Sequence, residues 1–66
     1  MQIFLNGVAH DCAEGISLAN FLTSIGITQN SCATAVNQAF VARERRAEIT
    51  LKQNDQIMTF EPITGG

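Results

Sequence analysis

The 66-residue chain has no tryptophan or tyrosine, one proline, one histidine, one lysine and three arginines. Six acidic residues outweigh the four basic ones and leave a net charge of −2. Phosphate recognition needs a basic surface, so nucleic acid is not expected as the main partner. No apolar run reaches 18 residues, so no helix is expected to span a membrane. The N-terminus, Met1-Gln2-Ile3-Phe4, has no charged leader and reads directly into a strand, which makes the reducing cytoplasm the expected compartment. There is no CxxC, and Cys12, Cys32 and His10 do not have metal-site spacing, so no metal or cofactor is expected. A Cys12–Cys32 disulfide would require an oxidising compartment, so free thiols are favoured over a bridge or a redox role. Gly7 and Gly26 stand alone and begin no phosphate-cradling loop. His10 has no nucleophile beside it and is expected to be exposed on a strand. Asp11 and Glu14 are expected to be solvated near a turn. A domain this small buries only about 60% of its unfolded surface, enough for one core but hardly for a deep cleft as well. These absences argue against a self-contained enzyme.

What is present reads as one α+β domain. Ile3-Phe4-Leu5 and Val8-Ala9-His10 flank Asn6-Gly7, the preferred type I′ pair, which predicts a hairpin over about residues 2–12. Ala13-Glu14-Gly15 is a turn. Leu18, Phe21, Leu22 and Ile25 repeat at helical spacing and predict one apolar face on a helix at 17–25. Ser17 is placed to cap it, Ile16 and Phe21 are placed to staple its entry, and Gly26 falls where it would end. Residues 27–32 read as a polar loop. Ala33 to Asn37 and Phe40 to Ala42 predict a second hairpin around Asn37-Gln38. Arg43, Glu44, Arg45, Arg46 and Glu48 form a mixed-sign run, read as an exposed connector or as a docking surface for an acidic partner. Leu51 is an isolated apolar anchor, Asn54-Asp55 a turn, and Ile57 to Phe60 a last strand. A helix packed on one face of a mixed sheet follows from this order.

Strand alternation adds a surface. If Ile3, Leu5 and Ile57 face the helix, Phe4, Met58 and Phe60 point the other way and form a partner-sized apolar patch. With the registers reversed, the same three side chains would be core.

The domain is expected to span 1–61, with a flexible tail at 62–66. The tail, Pro62-Ile63-Thr64-Gly65-Gly66, follows the last strand directly. Glycine has no Cβ, so backbone there can enter a narrow passage. Five extended residues reach about 17 Å. The reacting group would be the α-carboxyl of Gly66, presented by Gly65, Thr64 and Ile63 to an active site on a partner.

These residues resemble the thiamine-biosynthesis sulfur carrier (ThiS) family, from end to end. The likeness lies in Ile3-Phe4-Leu5-Asn6-Gly7, Ser17-Leu18, Ala35-Val36-Asn37, Phe40-Val41-Ala42-Arg43, then Thr50, Leu51, Asp55, Ile57 and Gly65-Gly66. Three positions depart from the usual pattern: Ala42 replaces a proline, Asn54 a glycine and Thr59 an apolar residue. The resemblance implies a ubiquitin-like β-grasp with its first and last strands parallel. It also implies a carrier, not an enzyme. An E1-like activating enzyme would use ATP to adenylate Gly66, because a bare carboxylate is a poor electrophile. A sulfur relay would then leave a C-terminal thiocarboxylate, and thiazole synthase would take that sulfur into the thiazole of thiamine. Phe4, Met58, Phe60 and Arg43 would bind these partners.

Three alternatives share the terminus. One is a sulfur carrier for molybdopterin or another pathway, although that family is usually longer. Another is a ubiquitin-like protein modifier, for which a single lysine, Lys52, offers little chain linkage. The third is a plain interaction domain with an incidental Gly-Gly.

Overall fold

The computed structural model describes residues 1–28 and 32–61. The chain runs β1 (Gln2–Leu5), β2 (Val8–Asp11), α1 (Leu18–Ser24), β3 (Ala33–Val36), β4 (Ala39–Val41), a 3₁₀ helix (Arg43–Glu48) and β5 (Gln56–Phe60). The five strands make one mixed sheet in the order β2-β1-β5-β3-β4. β1 and β5, first and last in sequence, are parallel neighbours at its centre. Both hairpins, β1–β2 and β3–β4, are antiparallel. This is the β-grasp arrangement.

Both hairpins turn on two residues with positive φ, as type I′ requires. In the first these are Asn6 (50°) and Gly7 (84°), and in the second Asn37 (51°) and Gln38 (71°). The Asn6 and Asn37 side chains then bond to β5 and to Asp55 just before it. Asn6 Oδ1 accepts from the Thr59 amide at 3.0 Å, and Asn6 Nδ2 donates to Thr59 Oγ1 at 2.9 Å. Asn37 Oδ1 accepts from the Gln56 amide at 3.0 Å, and Asn37 Nδ2 donates to Asp55 Oδ1 at 3.0 Å. Carboxamides thus continue the ladder where the flanking main chain turns away.

Helix α1 is one residue shorter at each end than predicted, because Ser17 and Ile25 are its caps. The Ser17 hydroxyl accepts from the Asn20 amide at 3.1 Å, which satisfies one free donor of the first turn. At the other end Ile27 N donates to Leu22 O and Gly26 N to Thr23 O, with Gly26 at φ 86°. That paired closure is the Schellman stop. Leu18, Phe21 and Leu22 are buried, and Ile25 packs at the margin. They meet Ile3, Val41, Leu51 and Ile57 in one core. Leu51 is fixed there by its amide bond to Ile16 O at 2.9 Å, beside a Ser17–Thr50 bridge.

Three readings are corrected. His10 is half-buried, not exposed, and its ring meets Phe21 edge-on with centroids 5.7 Å apart. The run 43–48 is a 3₁₀ helix, not a plain connector, because Arg46 is turned inward and only 1% exposed. Of the polar loop read over 27–32, residues 29–31 lie outside the described residues, and Cys32 at its end is buried rather than part of a polar surface. The tail at 62–66 also lies outside the described residues.

The three departures each have a local reason. Ala42 has φ −62° and ψ 148°, a conformation proline shares, so the backbone is the same without the ring. Asn54 has φ 70°, which asparagine tolerates better than other side-chain-bearing residues. The Thr59 hydroxyl accepts the Asn6 bond, so it is a partnered polar atom.

Phe21→Ala should destabilise the domain by about 3–5 kcal/mol, since the ring is fully buried. A thermal melt that barely moves would show the helix face to be dispensable. Asn37→Gly should cost about 1–2 kcal/mol for its two lost bonds. Asn37→Ala should cost about 1 kcal/mol more, because a Cβ is strained at that φ. Urea unfolding of the two variants separates these contributions.

Candidate functional site

Direct pairing puts facing residues on one side of the sheet. Ile3, Leu5, Thr34, Val36, Val41, Ile57 and Thr59 lie on the helix side by register. Phe4, Ala33, Ala35, Phe40, Met58 and Phe60 therefore share the opposite side. On that open face Met58 is 44% exposed, Phe60 49% and Phe40 70%, while Phe4 is half-buried. Met58 pairs with Ala35, which pairs with Phe40, so the three form a row across β5, β3 and β4. Phe60 lies opposite Ala33 in the next row. The two alanines of β3 leave a trough between Phe40 on one side and Met58 and Phe60 on the other.

Phe40 was missed by the sequence reading, although Val41 beside it is core and strand alternation turns its neighbour outward. The cross-strand register that seats Phe40 beside Met58 is set by the Asn37-Gln38 turn.

At the end of this face, where β5 stops, a cavity of about 370 Å³ opens between the sheet and the 3₁₀ helix. Ala33, Phe40, Arg43, Arg46, Phe60 and Glu61 are among its walls. The Arg43 side chain is exposed and forms no hydrogen bond or ion pair among the described residues. Arg46 is a second arginine of this wall, and the sequence reading did not single it out. Its Nη2 donates to Cys32 O at 2.6 Å and its Nε to Thr34 Oγ1 at 3.1 Å. A buried guanidinium needs such acceptors to offset its desolvation. The Thr34 hydroxyl in turn donates to Val41 O at 3.4 Å. The neighbouring Arg45 pairs with Glu48 at 3.2 Å on the surface.

Of the expected site residues, Phe4, Met58 and Phe60 share the open face, and Arg43 lines the cavity that Phe60 also lines. Gly66, Gly65, Thr64 and Ile63 lie outside the described residues. Cys12 and Cys32 are free thiols. Among the described residues no group of three His, Cys, Asp or Glu side chains could hold a metal, and no helix is long and apolar enough to cross a membrane. The described surface offers an apolar face with the charged residues Arg43 and Glu61 at one end.

The ThiS family model matches residues 3–66. The sulfur carrier protein ThiS of Escherichia coli (strain K12) is 38% identical over 66 residues, spanning all of both chains. A thiazole synthase of Magnetococcus marinus is 33% identical over 66 residues, which are all of this chain but 20% of that protein. Among solved structures, the crystal structure of the thiamine biosynthesis protein ThiS from Geobacter metallireducens superposes with a TM-score of 0.86 over all of both chains, at 22% identity. A solution structure of a Geobacter metallireducens thiamine biosynthesis protein gives 0.77, covering all of this chain and 88% of that one. These structural likenesses bear on the fold, and it is the ubiquitin-like β-grasp.

Phe40→Ser should change stability by no more than about 0.5 kcal/mol, because the ring lies outside the core. It should lower binding of an apolar dye to the native protein. A large loss of stability would show that Phe40 is packed and that the trough is closed.

Proposed function

The chain belongs to the ThiS family, and from that membership we propose that it is a sulfur carrier for the thiazole of thiamine, with the carboxylate of Gly66 as its reacting group. The observation that carries the proposal is the extent of the match, which runs to residue 66 and so takes in the Gly65-Gly66 terminus. The likeness to a carrier over its full length supports the same reading. The chain acts as a co-substrate: an E1-like activating enzyme adenylates Gly66 with ATP, making AMP the leaving group. Sulfur then replaces it, and the thiocarboxylate is a tethered nucleophile. The partner that consumes it is thiazole synthase, a reading supported by the relative of that name whose sequence includes a stretch resembling this whole chain.

In this reading the body and the tail have separate tasks. Phe4, Met58 and Phe60 dock the partner, with Phe40 extending their row and Arg43 at the end nearest the tail. Residues 62–66 are the segment that reaches the active site, with Ile63, Thr64 and Gly65 threading it. Free cysteines favour a reducing compartment, and we place the carrier in the cytoplasm.

Deleting Gly66 leaves the carboxylate about 3.5 Å short of its place. Near-attack geometry tolerates far less, so ATP–pyrophosphate exchange with the activating enzyme should nearly vanish. Gly65→Val should block it too, through a branched side chain in the passage, and neither change should alter the melting temperature. Incubating the wild type with activating enzyme, sulfur source and ATP should raise its intact mass by the difference between sulfur and oxygen. Exchange that is equal with and without Gly66 would rule out the terminus as reacting group. Phe60→Ala should weaken binding to the partner by about 1–3 kcal/mol with a smaller effect on folding. Undiminished binding in a titration would remove the open face from the docking surface.

A further inference from the structure

The last residues of β5 are held differently from the rest of that strand. Between Gln56 and Ile57 it has neighbours on both sides, β1 and β3. β1 ends its pairing at Leu5–Ile57, and the Asn6 carboxamide carries that side only as far as Thr59. Phe60 is paired on one side alone, with Ala33 at the start of β3. Whatever fixes Ala33 therefore fixes the point from which the following residues depart.

Arg46 brackets Ala33. Its guanidinium bonds the carbonyl of Cys32 on one side and the hydroxyl of Thr34 on the other. Arg46, Cys32, Ala33, Phe60 and Glu61 line the same cavity. Burying a charge costs free energy that neutral acceptors offset only in part. Stability alone is a weak reason for a buried arginine, whereas a planar fork with fixed donor directions sets geometry.

We infer that Arg46 is a positioning residue for the carrier's reaction, setting through Cys32, Ala33 and Thr34 the direction in which β5 delivers the terminus. The inference rests on the carrier reading and adds a role for a buried residue of the domain body. Docking depends on the open face and delivery on Arg46, so the two should separate in the kinetics.

The test uses full-length wild type, Arg46→Met and Arg46→Lys with the activating enzyme and ATP. Pyrophosphate exchange is followed at varied carrier concentration, well below the melting temperature of each variant. With Arg46→Met, kcat should fall about tenfold while KM stays within about twofold, the pattern of misaligned but normally docked substrate. Arg46→Lys keeps the charge and loses the fork, so it should recover only part of that loss. Amide exchange should quicken at residues 33–35 and 58–61 and stay unchanged in α1. Wild-type kcat in a folded Arg46→Met protein would overturn the inference. So would unfolding of both variants, or amide exchange that quickens equally in α1, since Arg46 would then serve the whole domain. A wild type that supports no exchange would instead remove the carrier reading on which it rests.

Discussion

The rest of the structure depends on how β5 is held. It is the central strand, with the first strand of the chain parallel on one side and β3 antiparallel on the other. Both flanking strands end in an asparagine that turns away in the left-handed region and reaches back with its side chain. A carboxamide has the donor and acceptor of a peptide group, so Asn6 and Asn37 stand in for strand that is no longer there. Asparagine meets both demands: it tolerates positive φ and it supplies the bonds. The two hairpin turns and the register of the terminal strand are therefore set by the same two side chains.

This explains why much of the fold was legible in the sequence. Asn6-Gly7 announced a turn by its backbone requirement, and Leu18, Phe21, Leu22 and Ile25 announced a helix face by spacing. Ser17 and Gly26 marked its ends. These signals are local, since each is complete within a few residues. Arg46 was not legible, because in a run of mixed charges nothing distinguishes the arginine that finds acceptors on another strand. The aromatic edge of His10 against Phe21 is likewise a contact between distant segments. Phe4, Met58 and Phe60 could be placed on one face by alternation, but Phe40 joins them only once the pairing of β3 with both neighbours is known. The terminal glycines were conspicuous by position, and the role proposed for them rests on family membership.

The domain divides apolar surface unevenly between its two sheet faces. One face is closed by α1 and the residues around Leu51. The other keeps a row of large side chains in water, with Ala33 and Ala35 recessed among them. Exposed apolar area of this kind works against solubility, so its persistence in a small domain points to use by a partner.

The parallel pairing of β1 with β5 also bears on how the protein is made. The central strand of the sheet is the last of its strands to be synthesised, and its pairing with β1 joins Phe4 to Gln56 and Leu5 to Ile57. Contacts so distant along the chain cannot form on a growing polypeptide until residues 56–60 have emerged from the ribosome. A prematurely terminated product lacks the middle of its sheet and stays open to proteases, as chains without a complete core do. Native folding thus acts as a proofreading step: a body that has folded has been translated through at least residue 60, to the threshold of the segment that carries Gly66.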